Sequence, residues 1–339
     1  MQQHKQQPMS WHSGAWSYVA GRLRAGHLPH ALLITGEQGV GKRAFADALA
    51  HRLVCEQANE QDQPCGHCKQ CELVAADSHP DIRRYAPEKS RIIKIAQVRA
   101  LSEFAVVSPQ VARRKIVVID RADQLNINAG NALLKTLEEP SADLVLLLLQ
   151  ESGRPLLPTL KSRCQSLMIA TPGAEVAAHW LNGQLAGEGL TATGDQQKQA
   201  LAMARFAPRL ALEYLSGDYL KLRADAFSLF RRFMKSEASL AEAAKAFKAL
   251  GSEETLALME IWASDLARLA AGGESRDQEA AEMLGFLARI NPGWRAHELM
   301  DHLHEARAAL VYNASPELEA QRLLIQWQAL MPDRRRRAG

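Results

Sequence analysis

The sequence predicts an α/β protein whose first half is a doubly wound parallel sheet and whose second half is helical. Apolar runs at 31–35, 116–119 and 144–149 alternate with helical patterns, and such continuous runs are typical of strands buried on both faces of a sheet. A further observation is the glycine-bearing stretch 36–43, which stands between the first of these strands and a long helical pattern. With 339 residues, the chain is long enough for two or three domains.

The stretch 36–43, Gly-Glu-Gln-Gly-Val-Gly-Lys-Arg, has the form of a phosphate-binding loop. Its glycines let backbone N–H groups converge on a phosphate, the following helix adds its dipole, and Lys42 adds a positive charge. A loop that supports hydrolysis has Ser or Thr after the lysine to hold Mg²⁺, whereas Arg43 carries only donors. A chance glycine turn is the alternative to a phosphate loop. The candidate nucleotide-binding residues in this stretch are Gly36, Gly39, Gly41 and Lys42.

Composition and charge indicate a globular protein without a membrane partner. The chain is 47% hydrophobic and 23% charged. Residues 1–10 lack the apolar core of a signal peptide, and the longest fully apolar run, 144–149, is too short to span a bilayer, so we expect a cytoplasmic protein. The net charge of +3 includes four arginines at 334–337, so the rest of the chain carries −1, which argues against a dedicated grip on duplex DNA.

Four cysteines form the most specific pattern in the chain. Cys55 ends the helix after the phosphate loop, and Cys65, Cys68 and Cys71 lie two residues apart in a short knuckle, which aims thiolates at one ion. We predict a structural, tetrahedral Zn²⁺ site with no open position for catalysis. An iron–sulfur cluster is the rival, although the bacterial ferredoxin run needs a fourth cysteine that 73–76 does not provide. Reduced free thiols are the other alternative, since a cytosolic location disfavours disulfides.

A second departure from the hydrolytic pattern follows the strand at 116–119. Asp120 stands at the carboxyl end of this strand, where a carboxylate of the phosphate site belongs. Hydrolytic proteins place a glutamate next to it to position water, but here the next residue is Arg121, whose guanidinium cannot act as a base. The sequence therefore predicts a nucleotide-binding fold that has lost the groups needed for hydrolysis.

The other elements are predicted from local patterns. In the sheet domain we expect a strand at 82–85, helices at 95–104 and 126–138, a helical turn at 155–161 and a last strand at 165–169. Helices at 172–181 and 196–215 form a small lid. A capping box at Ser239 and Glu242 opens a helix that Gly251 closes, and the last helix begins at Pro316. The predicted domains are 1–170 with the cysteine insertion at 55–71, the lid at 171–216, a helical domain at 217–332 and a basic tail at 333–339.

Four features together resemble bacterial clamp-loader subunits of the AAA+ class. They are the phosphate loop, the four-cysteine insertion after its helix, the segment 132–140 (Ala-Leu-Leu-Lys-Thr-Leu-Glu-Glu-Pro) and Ser162-Arg163-Cys164. The resemblance is strong over the first half of the chain and architectural over the rest, where it implies that 217–332 is a collar in which subunits assemble. In this family the gamma/tau motors keep the Mg²⁺-binding hydroxyl and the catalytic glutamate. Arg43 and Arg121 group this chain with the subunits that lack them.

The resemblance implies roles for further residues. Arg163 matches the arginine of the Ser-Arg-Cys motif, which in the family reaches a neighbour's ATP as an arginine finger, and a guanidinium supplied in trans stabilises the charge of the γ-phosphoryl group. A plain surface arginine is the alternative. Arg209 matches the family's second sensor, with a helix-surface arginine as the alternative. Glu151 falls near the family's γ-phosphate sensor, where a carboxylate would repel phosphate. Cys164 is predicted to be a small buried hydrophobe.

The resemblance implies a non-hydrolysing subunit of a clamp loader in the DNA polymerase III holoenzyme. Its partners would be gamma/tau and delta subunits in a hetero-pentamer and, through the complex, the sliding clamp and primed DNA at the replisome on the nucleoid. ATP or ADP could bind at Lys42 without being hydrolysed. An active ATPase motor is one alternative. A zinc-dependent nucleic-acid-binding module is another, which the nearly neutral body and the absence of aromatics interleaved with basic residues disfavour.

Overall fold

The chain forms two compact units. The first holds the residues up to Gly183 together with Ala204–Leu210, and the second holds Gln184–Met203 and the residues from Ala211 onward. The predicted basic tail at 333–339 lies outside the described residues. The computed structural model describes residues 8–88, 92–311 and 314–332.

The first unit is built on a five-stranded sheet with the strand order β2-β3-β4-β1-β5. Its strands are β1 Ala31–Gly36, β2 Ile82–Tyr85, β3 Lys115–Ile119, β4 Leu144–Glu151 and β5 Gln165–Met168. Every pairing in this sheet is parallel, with β4 at the centre, and Leu32 of β1 lies between Leu147 of β4 and Gln165 of β5. The predicted parallel α/β sheet is confirmed.

Alternate residues of the central strands enter two separate cores. On β4, Leu147 packs into one core together with Phe45, and Leu148 packs into the other together with Leu133. Helices therefore cover both faces of the sheet, which is why these strands read as continuous apolar runs rather than as alternating ones. The helices that begin in this unit before residue 180 are α1 Ser13–Arg24, α2 Lys42–Val54, α3 Lys69–Ala75, α4 Ile95–Val106, α5 Ile127–Glu138, α6 Pro158–Lys161 and α7 Ala174–Glu188.

The described residues after α7 form only helices and their connections, without a strand. Phe230, Trp262 and Trp327 are fully buried together, with the rings of Phe230 and Trp262 stacked at 4.9 Å between centroids. The predicted capping box is confirmed: the Ser239 hydroxyl accepts the Glu242 N–H. Among the described helices, none combines the length and the apolar character that a membrane span requires. These helices are α8 Gly194–Met203, α9 Pro208–Ser216, α10 Tyr219–Met234, α11 Leu240–Leu250, α12 Ser252–Ala270, α13 Ala281–Ile290, α14 Trp294–Val311 and α15 Pro316–Gln328.

The predicted helical segment 196–215 is interrupted. Between α8 and α9 the backbone takes left-handed φ angles of 50° at Arg205 and 61° at Phe206. Pro208 then starts α9, because proline has no N–H to continue the preceding helix and is preorganised for a first turn. α7 also runs seven residues beyond the predicted end at 181, to Glu188.

Buried His51 on α2 should make folding pH-dependent. It is 5% exposed, and neither ring nitrogen has a hydrogen-bond partner in the described structure. Burial, with a smaller contribution from nearby His79, lowers its pKa from 6.5 to about 4. Because the folded-state pKa lies below the unfolded one, protonation favours the unfolded chain. We expect His51 to remove up to about 3 kcal/mol of stability as the pH falls from 6.5 to 4.

Urea unfolding at several pH values between 7.5 and 4 checks this expectation. The His51→Leu variant should lose less stability over that range than the wild type, whatever its stability at neutral pH. Exposed His27 offers a matched control, since His27→Gln should keep the wild-type slope. If the free energy of unfolding fell equally with pH in His51→Leu and in the wild type, the expectation would be contradicted.

Candidate nucleotide and metal sites

The phosphate loop joins β1 to α2 and is packed closely on two sides. Gly39 and Gly41 take left-handed φ angles of 80° and 87°. A Cβ atom at Gly39 would lie 2.4 Å from the Cβ of Leu210, and one at Gly41 would lie 2.7 Å from the sulfur of Met9. Only glycine satisfies both the backbone conformation and the space at these positions. The glycine pattern that predicted the loop therefore reflects its packing as well as its turn.

Lys42 is folded back onto the loop that carries it. Its Nζ donates to the carbonyl oxygens of Gly36 at 2.9 Å and Glu37 at 2.8 Å. Burial lowers the pKa of Lys42, while the carboxylates of Glu151 and Asp123 oppose this shift. The ammonium group thus lies within the loop, where neutral carbonyl oxygens accept its hydrogen bonds. A charged phosphate oxygen is a stronger acceptor than these carbonyl oxygens.

Arg43 faces Asp120, the carboxylate that would hold Mg²⁺ in a hydrolytic loop. Its Nη1 lies 3.6 Å from Oδ2 of Asp120, and the Arg43 side chain is 66% exposed. In a hydrolytic loop a hydroxyl and this carboxylate both face Mg²⁺. Here a guanidinium supplies the positive charge next to Asp120 and offers no lone pair to a cation. The residues present do not fit a magnesium ion.

The next two carboxylates of the site are also paired with arginines. Arg121, in the left-handed conformation with φ 62°, lies 3.7 Å from Asp123 and 3.8 Å from Glu151. Arg154 lies 3.4 Å from Glu151. Burial raises the pKa of Asp123, and both arginines oppose the shift. Glu151 is therefore engaged in ion pairs at the end of β4.

An N-terminal segment contacts the phosphate loop, which the sequence patterns did not predict. Trp11 donates its indole N–H to the carbonyl oxygen of Val40 at 2.9 Å, and Nε2 of His12 lies 2.9 Å from the same oxygen. Nδ1 of His12 accepts the backbone N–H of Met9, which assigns the proton to Nε2. Burial lowers the pKa of His12. Nothing in the spacing of Trp11 and His12 pointed to this loop contact.

Arg209 lies beside the phosphate loop, at the start of α9. Its backbone N–H donates to the carbonyl oxygen of Gly39 at 3.1 Å, and Arg205 pairs with Glu37 of the loop at 3.5 Å. The structure therefore brings the predicted loop glycines, Lys42 and Arg209 together, and Asp120 joins them through Arg43.

Arg163 follows α6 and contacts Glu138 and Thr159 rather than residues of the phosphate loop. Its side chain is 37% exposed, its Nη2 lies 2.6 Å from Oε1 of Glu138, and its Nη1 donates to the carbonyl oxygen of Thr159 at 3.0 Å. Nothing in the sequence pattern pointed to Glu138 as its partner. Neighbouring Cys164 is half-buried, and burial raises its pKa to about 11, as suits a small hydrophobe.

The four predicted metal ligands come together in one group that could hold a metal ion. Cys55 ends α2, Cys68 and Cys71 open α3, and Cys65 lies between the helices. All four sulfurs lie within 4.8 Å of one another. Five of the six separations range from 3.5 to 4.0 Å, close to the roughly 3.8 Å that a tetrahedron of Zn–S bonds requires. The His67 ring is bonded to the Cys65 carbonyl oxygen and is not among these ligands.

Comparison with known proteins identifies the family. A family model described as "DNA polymerase III, delta subunit" matches residues 11–173. DNA polymerase III subunit delta' of Pseudomonas aeruginosa is 31% identical over 326 residues, which cover 94% of this chain and 97% of that protein. The same subunit of Haemophilus influenzae is 34% identical over 230 residues, 68% of each chain. Among solved structures, a DNA polymerase III gamma subunit-related protein from Thermotoga maritima covers 92% of this chain and is itself wholly covered, at 18% identity and a TM-score of 0.43. The predicted resemblance is confirmed, and the chain belongs to the DNA polymerase III subunit delta' family of clamp-loader proteins.

Proposed function

We propose that the chain is a non-hydrolysing structural subunit of the DNA polymerase III clamp loader, taking part in ATP-driven loading of the sliding clamp onto primed DNA. One observation carries the non-hydrolysing part. Arg43 and Arg121 stand where hydrolysis needs a hydroxyl and a water-positioning glutamate, and each is paired with carboxylates of the site. Neither guanidinium can bind Mg²⁺ or accept a proton from water.

The phosphate loop remains a candidate for nucleotide binding without turnover. Lys42 lies within the loop with its charge held by carbonyl oxygens, so the phosphates of ATP or ADP could replace these weaker acceptors. The site residues that we propose for this role are Gly36, Gly39, Gly41, Lys42, Asp120 and Arg209.

Arg163 is proposed as an arginine finger that acts on a neighbouring gamma/tau subunit. Its guanidinium is partly exposed and is held close to α6, so it can present free N–H groups beyond the chain's own surface. A guanidinium brought to a γ-phosphoryl group stabilises the charge that develops on its oxygens. The chain would thus contribute to catalysis at a site that another subunit carries.

The cysteine group is proposed to hold a structural Zn²⁺. The sulfur separations suit a tetrahedral ion, and four thiolate ligands leave no position for a catalytic water. Zinc would join the end of α2 to the start of α3. An iron–sulfur cluster is the alternative that absorbance spectroscopy distinguishes.

The layout of the clamp-loader family is proposed for the whole chain. We assign 1–170 with the insertion 55–71 to the AAA+ domain, 171–216 to the lid and 217–332 to the collar. The extensive helical core around Trp262 supports the last assignment. In the collar the chain would assemble with gamma/tau and delta subunits, and the complex would bring it to the sliding clamp and primed DNA in the cytoplasm, at the replisome.

Multiple-turnover ATP hydrolysis by the isolated chain tests the non-hydrolysing role. With Mg²⁺ present, we expect phosphate release at the rate of the buffer alone, because the site lacks both groups that hydrolysis needs. An isolated gamma/tau motor serves as the positive control for the assay. Sustained phosphate release that disappears in the Lys42→Ala variant would instead identify the chain as an active motor.

A further inference from the structure

Glu138 and Arg163 lie at the ends of two helices that are packed closely together. Glu138 is the last residue of α5, and Arg163 follows the end of α6. The absence of a side chain at Gly130 of α5 lets Leu157 approach, since a Cβ there would lie 2.4 Å from a methyl carbon of Leu157. Leu160 of α6 is fully buried in the same core as α5. Glu138 is therefore carried by a packed helix, and Arg163 lies two residues after the end of another.

The bonds to Arg163 leave part of its guanidinium available. Nη2 pairs with Glu138 at 2.6 Å, while Nη1 lies 3.0 Å from the Thr159 carbonyl oxygen and 3.4 Å from the Ser162 hydroxyl. A guanidinium has five N–H groups, so these contacts leave at least two of them for another acceptor. The pair with Glu138 can thus persist while Arg163 binds a phosphate.

We infer that Glu138 is the positioning residue of Arg163. Its carboxylate holds the guanidinium in the orientation that binds the γ-phosphoryl group of ATP on a neighbouring subunit. The inference rests on the proposed role of Arg163 as an arginine finger. A long, exposed side chain would otherwise have to be ordered as the transition state forms, and prior positioning removes that cost from the chemical step. Exposed ion pairs contribute little to folding, so Glu138 has no evident structural role.

The test uses the reconstituted clamp loader and its DNA-stimulated ATPase. We expect Glu138→Ala to lower kcat about 10-fold and to leave KM for ATP within about 2-fold of the wild type, because positioning acts on the transition state. Glu138→Gln should fall between the two, since its amide oxygen still accepts a hydrogen bond. Glu139→Gln removes the same negative charge from the next exposed residue and should leave kcat and KM at their wild-type values. Complex assembly and thermal stability should not change in any of these variants.

A double variant shows whether Glu138 acts through Arg163. In an Arg163→Ala background, Glu138→Ala should cause no further loss of kcat. A further loss of kcat in the double variant would overturn the positioning role. So would a clamp loader with Glu138→Ala whose kcat equals or exceeds that of the wild type, since a carboxylate that merely restrained Arg163 would slow the reaction. The finger itself fails separately, if Arg163→Ala alone leaves the ATPase unchanged.

Discussion

Replacing Arg163 by alanine is expected to slow ATP hydrolysis at the facing site of the reconstituted clamp loader by about 10³-fold, the lower end of the range for an arginine finger. The variant removes the positive charge and the N–H donors that approach the γ-phosphoryl group. It removes only a half-exposed side chain from the surface of its own subunit, so we expect the complex to assemble as before. The measurements are the DNA-stimulated steady-state rate and the burst of ATP hydrolysed in the first turnover.

Two further variants show whether the loss is specific to the finger. Arg163→Lys keeps the charge but not the planar fork of donors, so it should recover only a small part of the activity. Arg24 is a suitable control, because it is also an exposed arginine paired with a carboxylate, Asp62, at 3.2 Å. Arg24→Ala should leave the ATPase unchanged. If Arg163→Ala matched the wild type in both rate and burst, Arg163 would be an ordinary surface arginine.

The sequence predicted the parts of the molecule whose signals are local. The strand at 82–85 has the predicted bounds, and the cysteine group and the capping box at Ser239 were found from spacing alone. The chemistry of Arg43 and Arg121 was also readable, because a guanidinium cannot bind a cation in any fold. Such features depend on a residue and its immediate neighbours.

The contacts that define the candidate site join distant parts of the chain. The pairs of Arg43 with Asp120 and of Arg163 with Glu138 depend on how strands and helices are brought together, and no periodicity encodes them. The break between α8 and α9 was missed for a different reason. Phe206 takes a left-handed conformation, which is uncommon for a bulky residue and has no sequence signature.

The arginines of the candidate nucleotide site share one electrostatic pattern. Arg43 is paired with Asp120, and Arg121 is paired with Asp123 and Glu151, so each of these guanidinium groups has at least one carboxylate beside it. Arg121 lies beside the buried carboxylate of Asp123, where an unpaired charge would be costly, whereas the largely exposed pair of Arg43 with Asp120 contributes little to stability. The sheet and the loop can therefore keep their packing without the metal, and the proposed role of the partly exposed Arg163 does not depend on these pairs.

Loss of zinc should cause the largest change in stability. The purified chain is expected to contain about one equivalent of zinc, and Cys68→Ser should abolish it, because a structural site needs all four ligands. The seven-residue helix α3 is too short to persist alone, and zinc bound to Cys68 and Cys71 would fix its first turn. We expect a loss of at least roughly 3 kcal/mol, or about 10 °C in the unfolding midpoint, since metal binding contributes directly to folding.

Cys164 provides the matched control for this experiment. It is the fifth cysteine, it is half-buried, and it lies outside the metal-binding group, so Cys164→Ser removes a thiol without touching the ligands. This variant should keep its zinc and lose little stability. Should Cys68→Ser unfold at the wild-type midpoint, the four thiols would be reduced and metal-free. Visible absorbance from iron and sulfide in the wild-type protein would show that the four cysteines hold an iron–sulfur cluster instead of zinc. Either result would leave the arginine pairs of the nucleotide site intact, because none of them involves a cysteine.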